Sequence, residues 1–536
     1  MKKNAFDRIE LPTFLSPVRT GFLYLLIPFL IFTSGFIKPV YSIPMVLLLT
    51  WAAAKYWNSS KEDSNFSFES KKDLLTGCSL LFFWVVLSGI GGFAFQNPDF
   101  HGRNAIFRDL VTMQWPVIYT HGGEAASSSY GFTYYIGFWL PSAIIGKLLG
   151  WETANFALFI WSFIGVLIAA SLLLKKTGLS FIKSSLLLIF FSGMDIAGVL
   201  ATRWFSPGAY PTIWPPIQHL EWWATGMQFS SFTTQLFWVF NQAIPAWISL
   251  LIIINLTTKK AIFFILALCV FLSPISAIGL LPIAVLIALT NGNLQDRSTG
   301  KTRKRGLNLF CKDVFSDIRE TISIENGLGG GLILLTSLFF FHSSSSDVPR
   351  QISAIHTGDV SRYLLFSLCE WLILWLALFK RHKKNPLFYL AGVFLLVAPS
   401  IQLSGSQVIA RRATIPILLL LMTWCGEYLH SEKGRQRTFV LILLILGSLT
   451  PIFEINRSIY RTSVYYLQNR KSPPTTQSMY PPNSNKPLFP SKPESDHPGR
   501  LIADEWYTLS VFNPESMGSW IGPTSGSIFY RYFARD

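Results

Sequence analysis

Asp99, His101, Arg103 and Asp109 lie together in the polar stretch NPDFHGRNAIFRDLVTMQWPVIY, residues 97–119, directly after a long apolar run. Charge at the edge of hydrocarbon is costly unless it is paired or wetted, so such a cluster marks a candidate site. A carboxylate there can serve as a general base, with His101 and Arg103 binding a substrate or phosphate beside it. Asp99 reads equally well as the N-cap of a helix opening after Pro98, and Asp109 as the partner of a neighbouring arginine. Ile106, Phe107, Leu110 and Met113 recur at helical spacing while Asn104, Arg108 and Thr112 fall opposite. Residues 101–114 therefore read as a short amphipathic helix lying along an interface.

Three other places carry comparable chemistry. Asp195, in FFSGMDIAGVL, falls inside an apolar run, where a carboxylate needs a partner, either in a structural hydrogen bond or in a direct role. His219, Glu221, Trp222 and Trp223 crowd the segment IQHLEWW, ahead of a helix holding Gln235, Asn241 and Gln242. Rings beside hydrogen-bonding groups suit the C–H faces of sugars, and interfacial tryptophans also serve simply as membrane anchors. Arg411 and Arg412, in GSQVIARRATIP, open an apolar run; their planar forks suit a phosphate, and snorkelling to headgroups is the alternative. Arg350 and His356 are weaker candidates of the same kind.

The elements that must position these residues are membrane helices. Half of the 536 residues are hydrophobic and only 14% are charged, and uncharged runs of roughly 18 residues or more recur, each long enough for about 30 Å of hydrocarbon. The runs are continuous rather than alternating, which predicts an all-α polytopic membrane protein and not a β-barrel. The net charge of +16 sits mainly in short inter-helix segments and orients the chain rather than binding nucleic acid. Placing those segments on the cytoplasmic side predicts thirteen crossings: 21–38, 40–56, 74–95, 154–174, 183–200, 236–256, 261–273, 276–290, 327–342, 362–379, 386–403, 413–429 and 438–454. The N-terminus is then cytoplasmic and the C-terminus extracytoplasmic. Tyr134–Gly150 becomes a re-entrant or interfacial helix, and 261–290 a hairpin turning at Ser273-Pro274. Three parts follow: a two-helix hairpin at 1–73, a transmembrane core at 74–454 with outer loops 96–153 and 201–235, and a tail at 455–536. The tail's aromatic end is expected to dock back on the outer face. The five cysteines form no CxxC or Cys/His cluster, so neither a disulfide framework nor a thiolate metal site is indicated. There is no P-loop, GxSxG, HExxH or dinucleotide fingerprint.

An early outer loop opening on an acid, an amphipathic helix, a WPVIY turn and the aromatic helix YYIGFWLPSAIIGKLLG together resemble the first outer loop of C-type (GT-C) polytopic glycosyltransferases. FSGMDIAG, HLEWW and QLFWVFNQAIPAW also look like segments of bacterial multi-pass proteins related to that superfamily. The resemblance implies sugar transfer from a polyprenyl-phosphate donor to a glycan, lipid or protein acceptor on the extracytoplasmic side of the bacterial cell membrane. By position, Asp99 matches the family's catalytic carboxylate, and Arg411 or Arg412 an arginine at the lipid phosphate. Phe100 stands where the family carries a second acid, which leaves open both a divalent metal and the identity of the base. A carrier or flippase for a lipid-linked or small polar substrate is the alternative class, because it too needs Asp195, Asn241 and Gln242 inside the membrane. A surface-glycan polymerase or ligase is the third.

Overall fold

The computed structural model describes residues 9–10, 12, 15–59, 66–120, 129–205, 219–224, 226–290, 319–342, 352–354, 360–403, 407–469, 521–525 and 527–535. It is a mainly helical bundle: α1 (Pro17–Phe36), α2 (Pro39–Ser59), α3 (Lys71–Leu87), α4 (Asp99–Thr112), α5 (Leu140–Leu149), α6 (Trp151–Thr177), α7 (Phe181–Phe190), α8 (Asp195–Phe205), α9 (Phe232–Asn255), α10 (Ile262–Leu272) and α11 (Pro274–Leu289). There follow α12 (Gly331–His342), α13 (Val360–His382, with a π-helical turn at Leu368–Leu372), α14 (Pro386–Val397), α15 (Ile415–Ser431), α16 (Arg435–Gly447) and α17 (Leu449–Asn469). Each of the thirteen expected segments contains helix, though 74–95, 183–200 and 386–403 are helical over only part of their length, and among the described residues seven helices are long and apolar enough to cross a membrane. The chain is therefore an α-helical membrane protein.

Local chemistry starts and stops these helices. The hydroxyls of Ser16, Ser70, Ser180 and Ser231 accept from the backbone amides of Arg19, Asp73, Lys183 and Thr234, which leaves fewer orphan donors at four N-termini. The run expected to continue to 95 stops at Leu87, because Gly89 takes φ 83° and its place is walled by the Phe95 carbonyl. The 261–290 segment breaks at Ser273 before Pro274, as expected. Where one helix was expected over 183–200, α7 and α8 are separated by Phe191–Met194. The last expected helix does not end at 454 but runs on to Asn469, since 449–469 is amphipathic rather than uniformly apolar.

α9 is the central helix: 89% of its apolar window is buried, against 33% for the α16–α17 span and 39% for α13 at the rim. It is hydrophobic nearly all round, as a helix enclosed by others must be. α1, α6, α10, α11 and α15 pack around it.

The two ends of the bundle differ. At one end β1 (Ile9–Glu10) pairs antiparallel with β2 (Ser67–Phe68), and the Asp73 carboxylate accepts from the amides of Phe181 (2.9 Å) and Ile182 (3.1 Å). Lys176 pairs with Glu427, Arg381 with Glu432, and Lys259 Nζ donates to the carbonyls of Ala288 and Thr290. Among the described residues, the basic segments around Lys176, Lys259 and Arg381 thus lie at one end. At the other end β3 (Ile118–Thr120), β4 (Ser129–Phe132) and β7 (Ile521–Pro523) form an antiparallel sheet in the order β3-β4-β7, while β5 (Ile352–Ala354) pairs with β6 (Ile401–Leu403). The C-terminal segment docks there: Phe529 is buried against Phe32 and Phe340, and the Tyr530 hydroxyl donates to the Phe132 carbonyl at 2.6 Å.

Asp73 ties α3 to α7 through two amides that have no helical acceptor of their own. Asp73→Ala is expected to destabilise the protein by about 1–3 kcal/mol, read as a lower unfolding midpoint in detergent; an unchanged midpoint would show that the tie carries no stability.

Candidate functional site

Two polar clusters flank the first half of α9, and they differ in sign. The first is rich in arginine. Asp99 is the first residue of α4, yet its carboxylate makes no capping bond to that helix. Instead Oδ2 accepts from Arg103 Nη2 at 2.9 Å, one turn on, while the Asn97 side chain accepts from the Asp99 amide at 3.0 Å. The capping reading of Asp99 is thereby replaced by an ion pair. Its carboxylate is 41% exposed while the Arg103 side chain is 7% exposed. The Arg103 guanidinium lies over the rings of Phe100 and Phe240, and its Nη1 is buried with no hydrogen-bond partner among the described residues.

Arg411 and Arg412 both act electrostatically on Asp99. Arg412 Nη1 donates to the Tyr135 hydroxyl at 3.1 Å, where Gln242 Nε2 (2.8 Å) and the Tyr134 hydroxyl (2.7 Å) also donate. Burial, then the neighbouring Tyr135, pushes the Tyr134 phenol well above its usual range, against the pull of Arg412 and Arg103. Arg103 pairs with Asp99 while Arg411 and Arg412 act on it from further off, so positive charge outnumbers negative here, a balance suited to an anionic ligand. Gln242 Oε1 and both amide atoms of Asn241 are buried without hydrogen-bond partners among the described residues. Asp109 lies ten residues further along α4, about 15 Å at the usual helical rise, fully buried and away from Asp99.

The second cluster is acidic and closed. His219 lies between two carboxylates, with Nδ1 3.3 Å from Glu454 Oε2 and Nε2 3.6 Å from Glu221 Oε2. Glu221 also accepts from the Thr234 hydroxyl, the Ser231 amide and the Gln228 side chain. Glu454 accepts from Trp238 Nε1 and Arg457 Nη2, and the Trp238 ring stacks on the imidazole. Asp195 accepts from Trp223 Nε1 at 3.0 Å, Thr450 at 2.8 Å and Ser192 at 3.3 Å. Trp222 stays outward, its ring edge-on to His219. Burial would lower the basicity of His219, but the Glu454 and Glu221 carboxylates on either side outweigh it and raise its pKa above the usual value.

The candidates read from sequence thus divide. Asp99, Arg103, Gln242, Arg411 and Arg412 come together in the first cluster. Asp195, His219, Glu221 and Trp223 join in the second, while Asp109 belongs to neither. The His101 side chain, Arg350 and His356 lie outside the described residues. Sequence reasoning missed Tyr134 and Tyr135, which fall in the YYIGFW run but carry no charge to draw notice. It also missed Glu370, an acid inside an apolar run by the same criterion that picked out Asp195, and the Glu454–Arg457 pair at the end of an expected helix. Among the described residues no group of three or more His, Cys, Asp or Glu side chains is arranged to hold a metal ion. No family model, no curated protein and no solved structure matches this chain.

The raised basicity of His219 has a definite sign. Its contribution to stability is fully present below the unfolded value of about 6.5 and is lost as pH rises through the higher folded value. Wild type is therefore expected to hold a stability advantage over His219→Gln that shrinks with increasing pH; an advantage constant across the titration would exclude an imidazolium bridge.

Proposed function

We propose that the protein is a membrane glycosyltransferase of the GT-C kind, moving a sugar from a polyprenyl-phosphate donor to an acceptor hydroxyl at the arginine-rich end of the bundle. The observation that carries this reading is the half-exposed Asp99 carboxylate paired with Arg103 and within the electrostatic reach of Arg411 and Arg412. In the proposed reaction Asp99 takes the proton of the acceptor hydroxyl as its oxygen bonds to the anomeric carbon. The bond from that carbon to the phosphate oxygen breaks, and the lipid phosphate leaves with the electron pair, its charge met by Arg411 and Arg412. Arg103 orients Asp99. Tyr135 holds Arg412 in place through its hydroxyl, and Gln242 braces the same oxygen from α9. Trp222 and the rings near His219 offer faces on which a sugar can stack.

The proposed setting is the bacterial cell membrane, crossed thirteen times, with the basic end cytoplasmic and the arginine-rich site outside. The segment from Ile136 to Leu149 has 14 residues, about 21 Å at the helical rise, which suits an interfacial or re-entrant element better than a crossing.

A carrier is the second reading. It is favoured by the break between α7 and α8 beside buried acids, since interrupted helices in membrane carriers expose backbone groups to a cargo.

Purified protein offered a panel of labelled polyprenyl-phosphate sugars is expected to transfer at least one. In that assay Asp99→Asn should lower kcat by about 10²–10⁴-fold, and Arg411→Gln should cost about 10²-fold through lost phosphate stabilisation. An Asp99→Asn protein that folds and transfers at the wild-type rate would remove the carboxylate from the mechanism.

A further inference from the structure

The interruption of the 181–205 segment is built around a buried carboxyl group on another helix. A Cβ at Gly193 would lie 2.2 Å from Glu370 Oε2 and 2.7 Å from its Cα, so glycine is what lets the break pack against this residue. The Met194 amide donates to the Cys369 carbonyl at 2.9 Å, fastening the break to the π-helical turn that carries Glu370. π-Helical turns are rare and gather at functional positions. Glu370 is 4% exposed, and neither of its oxygens receives a hydrogen bond from an amide, a hydroxyl or a cation among the described residues. Asp195, two residues beyond Gly193 and next to the fastened Met194, brings a second buried carboxyl group to the same break. Asp195 is already supplied by three donors, Trp223, Thr450 and Ser192. Two adjacent buried carboxyl groups without a cation between them cannot both ionise cheaply.

We propose that Glu370 and Asp195 together bind one exchangeable proton, and that losing it loosens the break between α7 and α8. With the proton present, the neutral acid sits against its carboxylate partner and the break stays fastened to α13. Without it, two like charges face each other away from water, and α8 moves off α13. The charged and titratable groups around the pair are Glu221 and His219 from the 219–224 segment, Glu454 and Arg457 from α17, and the Cys369 thiol on α13 itself. Arg457 pairs with Glu454, and His219 lies against Glu454 and Glu221; among the described residues neither makes an ion pair with Glu370 or Asp195, so the proton is the ligand that fits. The proposal does not rest on sugar transfer at Asp99: a protein inactive as a transferase can still show this response, and an active one can lack it.

The test uses the full chain in lipid nanodiscs, with hydrogen–deuterium exchange followed across pH and corrected for the intrinsic exchange rate. Protection of residues 191–200 in wild type is expected to fall about tenfold as the pair loses its proton. Glu370→Gln, neutral at every pH, should keep that protection flat, while His219→Gln should retain the wild-type fall in this segment. The same fall in wild type and Glu370→Gln, or no fall in wild type, would overturn the proposal. Infrared spectroscopy of wild type gives a check independent of whether the variant folds: a protonated carboxyl stretch is expected under the conditions in which residues 191–200 are protected, fading together with that protection, and its absence would be equally decisive against the proposal.

Discussion

A charge drawn inside a helical bundle is costly unless another side chain or backbone freed from a helix meets it, and among the described residues most such groups are met in this way, Glu370 being the exception. α9 supplies most of those partners. Along its first three turns Thr234 meets Glu221, Trp238 meets Glu454, Phe240 lies under Arg103, and Gln242 meets Tyr135. The helix is distorted as it does so: Val239 departs from helical geometry, and the Phe237 carbonyl turns to accept from Asn97, just ahead of Asp99. One central helix thus fixes both polar clusters, and a change in its first half reaches each of them.

The difference in exposure between the clusters follows from their charge balance. Asp99 reaches solvent, pairs with Arg103 and lies in the field of Arg411 and Arg412, so its surroundings are positive and partly wet, as the capture of an anion requires. The acidic cluster is sealed. Asp195, Glu221, Glu370 and Glu454 outnumber Arg457 and His219, and each has less than 5% of its surface exposed. Such an excess of buried acid favours protonation of part of the cluster, which is the basis for the pH response proposed above, whereas the positive surplus beside Asp99 is the basis for the proposed anion site.

The membrane-helix character of the chain was legible because it depends on composition and run length, two properties that survive without tertiary information. The gathering of basic segments at one end was legible for a similar reason, since charge patterning reports it directly. The break at Phe191–Met194 was not. Its glycine and serine look like ordinary punctuation, and only the packing of Glu370 against Gly193 shows why the helix stops there. Asp99, Arg411 and Arg412 could be picked out because ionisable residues at the edge of an apolar run are conspicuous. Tyr135 could not, because a phenol in an aromatic stretch has no signature until Arg412 and Gln242 are seen to converge on it. Glu454 and Arg457 were lost to a boundary: the apolar run ends near them, but an amphipathic helix needs only one apolar face to continue.

The C-terminal segment adds a constraint that neither cluster imposes alone. β7 completes the sheet begun by β3 and β4, and those strands connect α4, which carries Asp99, to the segment carrying Tyr134 and Tyr135. The Tyr530 ring fills the space that a side chain at Gly131 would take, and the Lys38 amide donates to the Phe533 carbonyl where α2 begins. The C-terminal segment therefore ties the β3–β4 connection between α4 and Tyr134 to the end of α1 and the start of α2. A two-residue tyrosine contact that must hold Arg412 in register gains from such a brace, because a loop that moves by an ångström disperses the positive charge an anion would need.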